Sequence, residues 1–180
     1  MYKYCTTEGS SQRQRQLEQH LLQLMQVHSY SHITISQICD LANISRKSFY
    51  RYFSDKDSCL TALVDHCIYD GASSFLPAGS EPFRILDFYT QFFTYWQQQC
   101  VLLDVLRRNN LELLLPERMI HYAQTEEQGF QQYLGKENDS FEQILFMVSG
   151  VTGLILNWHR SGFEKSPFQM AQVLEKVIQN

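Results

Sequence analysis

The sequence lacks several features, and each absence removes a class of protein. No stretch alternates polar and apolar residues over a useful length, so nothing predicts a sheet. The longest apolar run, Ile144 to Leu156, is about 13 residues and contains Ser149, Gly150, Thr152 and Gly153, short of the roughly 20 needed to span a bilayer. Five cysteines (Cys5, Cys39, Cys59, Cys67 and Cys100) are odd in number and show no C-x-x-C spacing, so reduced thiols in a cytoplasmic protein are expected. The N-terminus is polar and has no signal-peptide pattern. There is no glycine-rich phosphate loop, and His20, His28 and His32 are too loosely spaced for zinc. His66 and Cys67 are helix neighbours that diverge by about 100°, so they form no Cys–His catalytic pair by themselves. No catalysis, metal or cofactor is expected.

What is present is a helical pattern with charge divided along it. The 180 residues are 44% hydrophobic and 19% charged, enough for a core, with a net charge of −4. Residues 1–60 carry seven Lys/Arg against five Asp/Glu, and residues 61–180 carry eight against fourteen. A basic head on an acidic body suits a protein that meets DNA at one end.

The most informative stretch runs from Ile33 to Leu60. Thr34 and Gln37 stand at capping-box spacing, and Ile35, Ile38 and Leu41 follow at helical period. Ala42-Asn43-Ile44 interrupts this helix, and Asn43 accepts the left-handed backbone that a sharp break requires. Ser45 caps a second helix with Phe49 and Phe53 on one face. Its other positions are Arg46, Lys47, Ser48, Tyr50, Arg51 and Tyr52, donors or cations throughout. Carried from Ser45 to Phe53, that helix would be about 13 Å long, a match to a major groove about 12 Å wide. Helix, tight turn and a donor-rich second helix form a helix-turn-helix pattern.

The run Ala42-Asn43-Ile44-Ser45, then Phe49-Tyr50-Arg51-Tyr52-Phe53, Lys56 and Leu60, resembles the tetracycline-repressor (TetR/AcrR) type of bacterial regulator. That family's signature reads A-G-V-S…L-Y-x-(H/Y)-F-x-x-K-x-x-L. Asn43 stands where Gly is usual and keeps its backbone role; Cys59 is a second departure. The resemblance implies base-edge or sugar-phosphate contacts for Ser45, Arg46, Lys47 and Ser48. It implies phosphate contacts for Tyr50, Tyr52, Thr34 and Lys56, with Arg51 on the same surface. It also implies a homodimer, most simply a repressor released by a small-molecule effector. A protein-interaction module, a coactivator working through another DNA-binding protein, is the alternative.

The expected architecture is all-α: a three-helix head over residues 1–55 and a helical-bundle body over 56–180. A first helix is predicted from Ser11 to His28, with Arg13 and Arg15 in its first turn, solvated or compensated by phosphate. Ser54 is expected to cap a connecting helix that reaches Ser73, with Gly71 to Gly79 as the loop that ends it. Ser80-Glu81-Pro82 would start the next helix, Phe83 to Gln99, whose aromatics fall on nearly all faces. Tyr89, Phe92, Phe93 and Trp96, with His121 further on, are candidates for an effector pocket. A short helix follows from Cys100 to Arg108, ending at Asn109-Asn110. A helix after Pro116 turns Met119, Ile120, Ala123, Phe130, Tyr133 and Leu134 inward and ends at Gly135. Asp139 and Glu142 stand at capping-box spacing before a long helix from Ser140 to Ser161 that Gly162 terminates. Ser166-Pro167-x-Gln169 opens the last helix, and the small residues Ser149, Gly150 and Gly153 are suited to close approach by a partner helix.

Overall fold

A computed structural model describes residues 2, 3, 5, 7–75, 84–125 and 140–179. Among these the regular structure is helical, apart from one isolated antiparallel bridge between Tyr2 and Phe53. The helices are α1 (Glu8–Val27), α2 (Ile35–Leu41), α3 (Arg46–Phe49), α4 (Lys56–Phe75) and α5 (Ile85–Gln98). They continue as α6 (Cys100–Arg108), α7 (Leu114–Thr125), α8 (Phe141–Arg160) and α9 (Pro167–Gln179), with a 3-10 turn at Tyr30–His32.

Helix starts follow local chemistry. Thr34 accepts from Gln37 N at 3.2 Å while Gln37 Oε1 accepts from Thr34 N at 2.8 Å, the predicted capping box. Ser166 and Gln169 make the same exchange at the start of α9. Two starts lie one residue beyond the expected position. Ser140 with Gln143 opens α8 in place of Asp139 with Glu142. Asp55 caps α4, accepting from Ser58 N at 2.7 Å, in place of Ser54. A carboxylate at the cap satisfies an orphan N–H and also favours the positive end of the helix.

Three helices end in the same left-handed motif. Asn43, Asn110 and Gly162 have φ of 51°, 57° and 68°. Each donates its N–H back three residues, and the following residue donates back five: Ile44 to Cys39, Leu111 to Leu106, Phe163 to Trp158. The apolar contact that accompanies such an end is explicit at α8, where the Phe163 and Trp158 rings lie edge-on at 4.7 Å.

α1 starts three residues before the expected Ser11, so Arg13 and Arg15 stand beyond its first turn. Arg15 pairs with Asp70 of α4 through two 2.8 Å hydrogen bonds, which makes it a surface ion pair within the chain. Gly71 lies inside α4, where the expected loop would begin; the burial of its neighbours Ile68 and Ala72 outweighs the roughly 0.5–1 kcal/mol that a helical glycine costs. The expected loop beyond residue 75, the Ser80-Glu81-Pro82 start and the Phe130, Tyr133, Leu134 face lie outside the described residues.

One core runs through head and body. Leu17, Leu21, Ile38, Phe49 and Phe53 fill the head, and α4 adds Cys59, Leu60, Leu63 and Val64 to the same cluster. α4 packs on α1, α5 and α7. In the body, Phe88, Tyr89, Phe92, Phe93 and Trp96 fall on one broad face of α5, not on nearly all faces; Gln91 and Thr94 are exposed. That face meets chiefly α9, and Phe93 stacks edge-on against Trp158 of α8 at 5.5 Å. α8 is long and apolar enough by composition to cross a membrane, but it is two-sided: Val148, Val151, Thr152, Ile155, Trp158 and His159 are buried in the chain.

Candidate DNA-binding face

The left-handed Asn43 sets the angle between α2 and α3. Ile44 is drawn back to Cys39, and Ser45 then caps α3 by accepting from Ser48 N at 3.2 Å. Phe49 and Phe53 point into the core at 0% and 1% exposure, their rings 5.3 Å apart. With one side of the segment anchored, the residues between are forced outward.

α3 proper is four residues long, shorter than the expected nine. The chain continues as a tightening turn: Tyr50 donates to Arg46 O at 3.0 Å, Arg51 to Ser48 O at 3.2 Å and Tyr52 to Phe49 O at 2.9 Å. The donors therefore remain on one continuous hydrogen-bonded segment although its last turn is not α-helical.

Thr34, Ser45, Arg46, Lys47, Tyr50 and Arg51 are exposed, and Ser48 and Tyr52 are half-buried. Arg46 Nη2 donates to Tyr50 Oη at 3.3 Å, one turn away, and this contact also holds the guanidinium pKa up. Lys47 and Arg51 have no ion-pair partner among the described residues, so their charge is presented to solvent.

Lys56, expected at a phosphate, is also bound within the chain. Its Nζ donates to Tyr30 O at 2.6 Å and Ile33 O at 2.7 Å and stands 4.2 Å from the Tyr30 ring centroid. Two of its three protons therefore close the turn that precedes α2, and burial lowers its pKa. Tyr30, not singled out in the sequence, also donates its hydroxyl to Asp57 at 2.5 Å and its backbone N–H to Asn109 Oδ1 at 2.7 Å.

The effector candidates do not form one group. Tyr89, Phe92, Phe93 and Trp96 are each at most 3% exposed within the core. His121 is exposed on α7 and lines a surface cavity of about 70 Å³ with Tyr2, Asp65, His66, Tyr69, Tyr122 and Thr125, none of them from α5. Helical spacing along α7 turns His121 away from Met119 and Ala123, the residues that face the core. Among the described residues no group of three or more His, Cys, Asp or Glu is placed to hold a metal ion.

Comparison with known proteins agrees with this arrangement. Residues 21–63 match the model of the bacterial regulatory proteins of the tetR family, and residues 84–180 match a transcriptional regulator C-terminal region. No curated protein sequence matches the chain. Among solved structures, a TetR-family regulator from Syntrophomonas wolfei is similar at a TM-score of 0.65 and 13% identity, over 94% of each chain. One from Haemophilus influenzae gives 0.60 and 17%, over 96% of this chain and 98% of its own. The regulator FadR from Bacillus subtilis, solved with stearoyl-CoA, gives 0.55 and 12%, over 91% and 96%. The capped two-helix turn, the outward row of donors and the two matched regions lead to one conclusion: the chain belongs to the TetR family and is a DNA-binding transcriptional regulator.

Proposed function

We propose that the chain is a homodimeric, cytoplasmic repressor that grips a two-part operator through a face on each head. Residues 1–55 read DNA, and residues 56–180 hold the dimer and respond to a small effector. The observation that carries the reading is the outward row Ser45, Arg46, Lys47, Tyr50 and Arg51, held in place by the buried Phe49 and Phe53. Arg46 and Lys47 suit guanine O6 and N7; Thr34, Ser48, Tyr50, Arg51 and Tyr52 suit phosphates.

The dimer rests on α8. Opposite its buried row, Phe146, Ser149, Gly150, Gly153 and Asn157 form an exposed stripe, with Phe146 at 76% exposure. A Cβ on Gly150 or Gly153 would meet nothing within 4 Å, so nothing described in the chain itself requires those residues to be small. A second copy packed along this stripe would use them. A membrane would not, since α8 already buries its other side in the chain.

For the effector, the likeness to a FadR solved with stearoyl-CoA supports a compound with a long apolar part. It would enter beside α5 by displacing side chains around Tyr89, Phe92, Phe93 and Trp96. It releases DNA only by binding more tightly to the dimer with the wrong head spacing. Regulators of this family are generally not enzymes, which fits a chain that works by binding alone.

The deciding experiment is selection of DNA from a random pool by the purified chain, followed by a gel shift with the selected fragments. A two-fold symmetric motif bound by the chain alone is expected. A chain that selects nothing unaided would favour the coactivator alternative.

A further inference from the structure

The segment before α1 touches the head, the connecting helix and the body together. Lys3 N donates to Tyr52 O at 3.0 Å, and Tyr2 faces Phe53 in the isolated antiparallel bridge. Lys3 O in turn accepts from Gln14 Nε2 at 3.1 Å, and Gln14 is a buried amide of α1. Two residues that directly follow the DNA-facing row are thereby tied to the arm.

The other end of the arm is tied to the body. Tyr2 Oη donates to Asp65 Oδ2 of α4 at 2.7 Å. The same carboxylate accepts from Nε and Nη2 of Arg118 on α7 at 2.5 and 2.8 Å, in a pair whose side chains are 14% and 15% exposed. Paired in this planar two-point geometry and largely shielded from water, Asp65 is a fixed anchor. The Tyr2 ring lies edge-on to His66, centroids 5.8 Å apart, and both residues line the cavity shared with Tyr69, His121 and Tyr122. The hydroxyl adds a directed contact to Asp65 that the ring alone could not make.

We propose that Tyr2 is a positioning residue for DNA reading. Through Asp65 and Arg118 it holds the end of the DNA-facing segment in register with α7, and so sets how far apart two heads stand. The physical case is one of connectivity. Along the chain Tyr52 and Arg118 are separated by three helices and their links; through the adjacent Lys3 and Tyr2 and then Asp65 they are joined by hydrogen bonds at three points. A shift of α7 then reaches the reading segment by a route besides the length of α4.

This inference rests on the dimeric, DNA-reading function proposed above, and its test separates the two. Tyr2→Phe removes one hydroxyl and keeps the ring. In the full chain, amide exchange at residues 50–53 should become about threefold to tenfold faster, the range that one hydrogen bond supports. Exchange in α5 and the thermal midpoint should stay near wild type. Affinity for selected DNA with two half-sites should fall by about the same factor, while affinity for a single half-site stays constant. A general loss of stability would move α5 and both DNA affinities together. Unchanged exchange at residues 50–53 overturns the proposal whatever the DNA result. Faster exchange with an undiminished preference for paired half-sites overturns it as well. A wild-type chain that binds no DNA sinks the reading of the previous subsection, and exchange still decides whether the arm fixes the segment.

Discussion

Lys56 Nζ lies 2.6 Å from Tyr30 O and 2.7 Å from Ile33 O, so the cation that opens α4 also closes the turn before α2. Lys56→Ala leaves two carbonyls without their charged donor. It should cost about 1–2 kcal/mol of folding stability, read as a shift of the urea midpoint. If the midpoint stays fixed while DNA affinity falls, Lys56 acts on phosphate alone.

Asn43 holds φ at 51° in the turn between α2 and α3. Asn43→Gly should leave stability within about 0.5 kcal/mol of wild type, because glycine reaches this conformation without a Cβ clash. Asn43→Val should lose about 1–2 kcal/mol. Thermal denaturation of the pair checks both, and equal midpoints for Gly and Val would refute the account of the turn.

Arg46 stands exposed, four residues from Tyr50, whose hydroxyl accepts from it at 3.3 Å. Arg46→Ala should relax preference at one base position at a cost of about 1–3 kcal/mol. Lys47→Ala tests whether Lys47 is a second reader of bases or a phosphate contact. In the latter case affinity falls for all sequences, and the salt slope decreases by about 1. Selection repeated with each variant separates the outcomes.

Glu18 is 1% exposed, and its two oxygens lie 2.9 Å from His66 Nδ1. Burial pushes the carboxyl pKa above the ordinary value of 4.5, against the lowering effect of His66. A raised folded pKa means that the folded chain holds the proton more tightly than the unfolded one. The stability this contributes is present below about 4.5 and is lost as pH rises through the folded value. Glu18→Gln keeps an acceptor for His66 and has no charge to bury. Relative to wild type, it should therefore be more stable at pH 8 than at pH 5. Parallel urea titrations at the two values check the sign.

Gly153 sits on the exposed stripe of α8 with open space where a Cβ would go. Gly153→Arg should abolish the dimer in sedimentation at micromolar concentration. Helicity should be kept, because arginine favours a helix over glycine by roughly 1 kcal/mol. A wild-type chain that sediments as a well-folded monomer would rule out this interface.

Features encoded within four residues were legible in the sequence. Thr34 with Gln37, Ser166 with Gln169 and Asn43 before Ser45 stand where the sequence places them, because a cap or a left-handed turn needs only its neighbours. Where two adjacent residues could serve, as with Ser54 and Asp55 or Asp139 and Ser140, the capping spacing suits both. The spacing alone does not choose between them. Pairs such as Asp65 with Arg118, Glu18 with His66 and Lys56 with Tyr30 were invisible because their partners come from other helices. Helical content misled at α3, where aromatic anchors at Phe49 and Phe53 hold the segment even though the helix has tightened into a turn.

Because α4 contributes Cys59, Leu60 and Leu63 to the core that α1 and α3 fill, a cut between residues 55 and 56 would be a poor place to divide the chain. The reading head excised there would uncover Leu17 and Leu21 along one side of α1 and leave Glu18 without His66. A fragment that keeps α4 to its end retains both, and the body loses a wall instead. The portable unit, for grafting this head onto another body, therefore ends near residue 75, and any graft must supply new cover for the side of α4 that meets α5 and α7. Exchange of heads between such proteins is thus a matter of matching one helix to two neighbours, which limits which chimeras will fold.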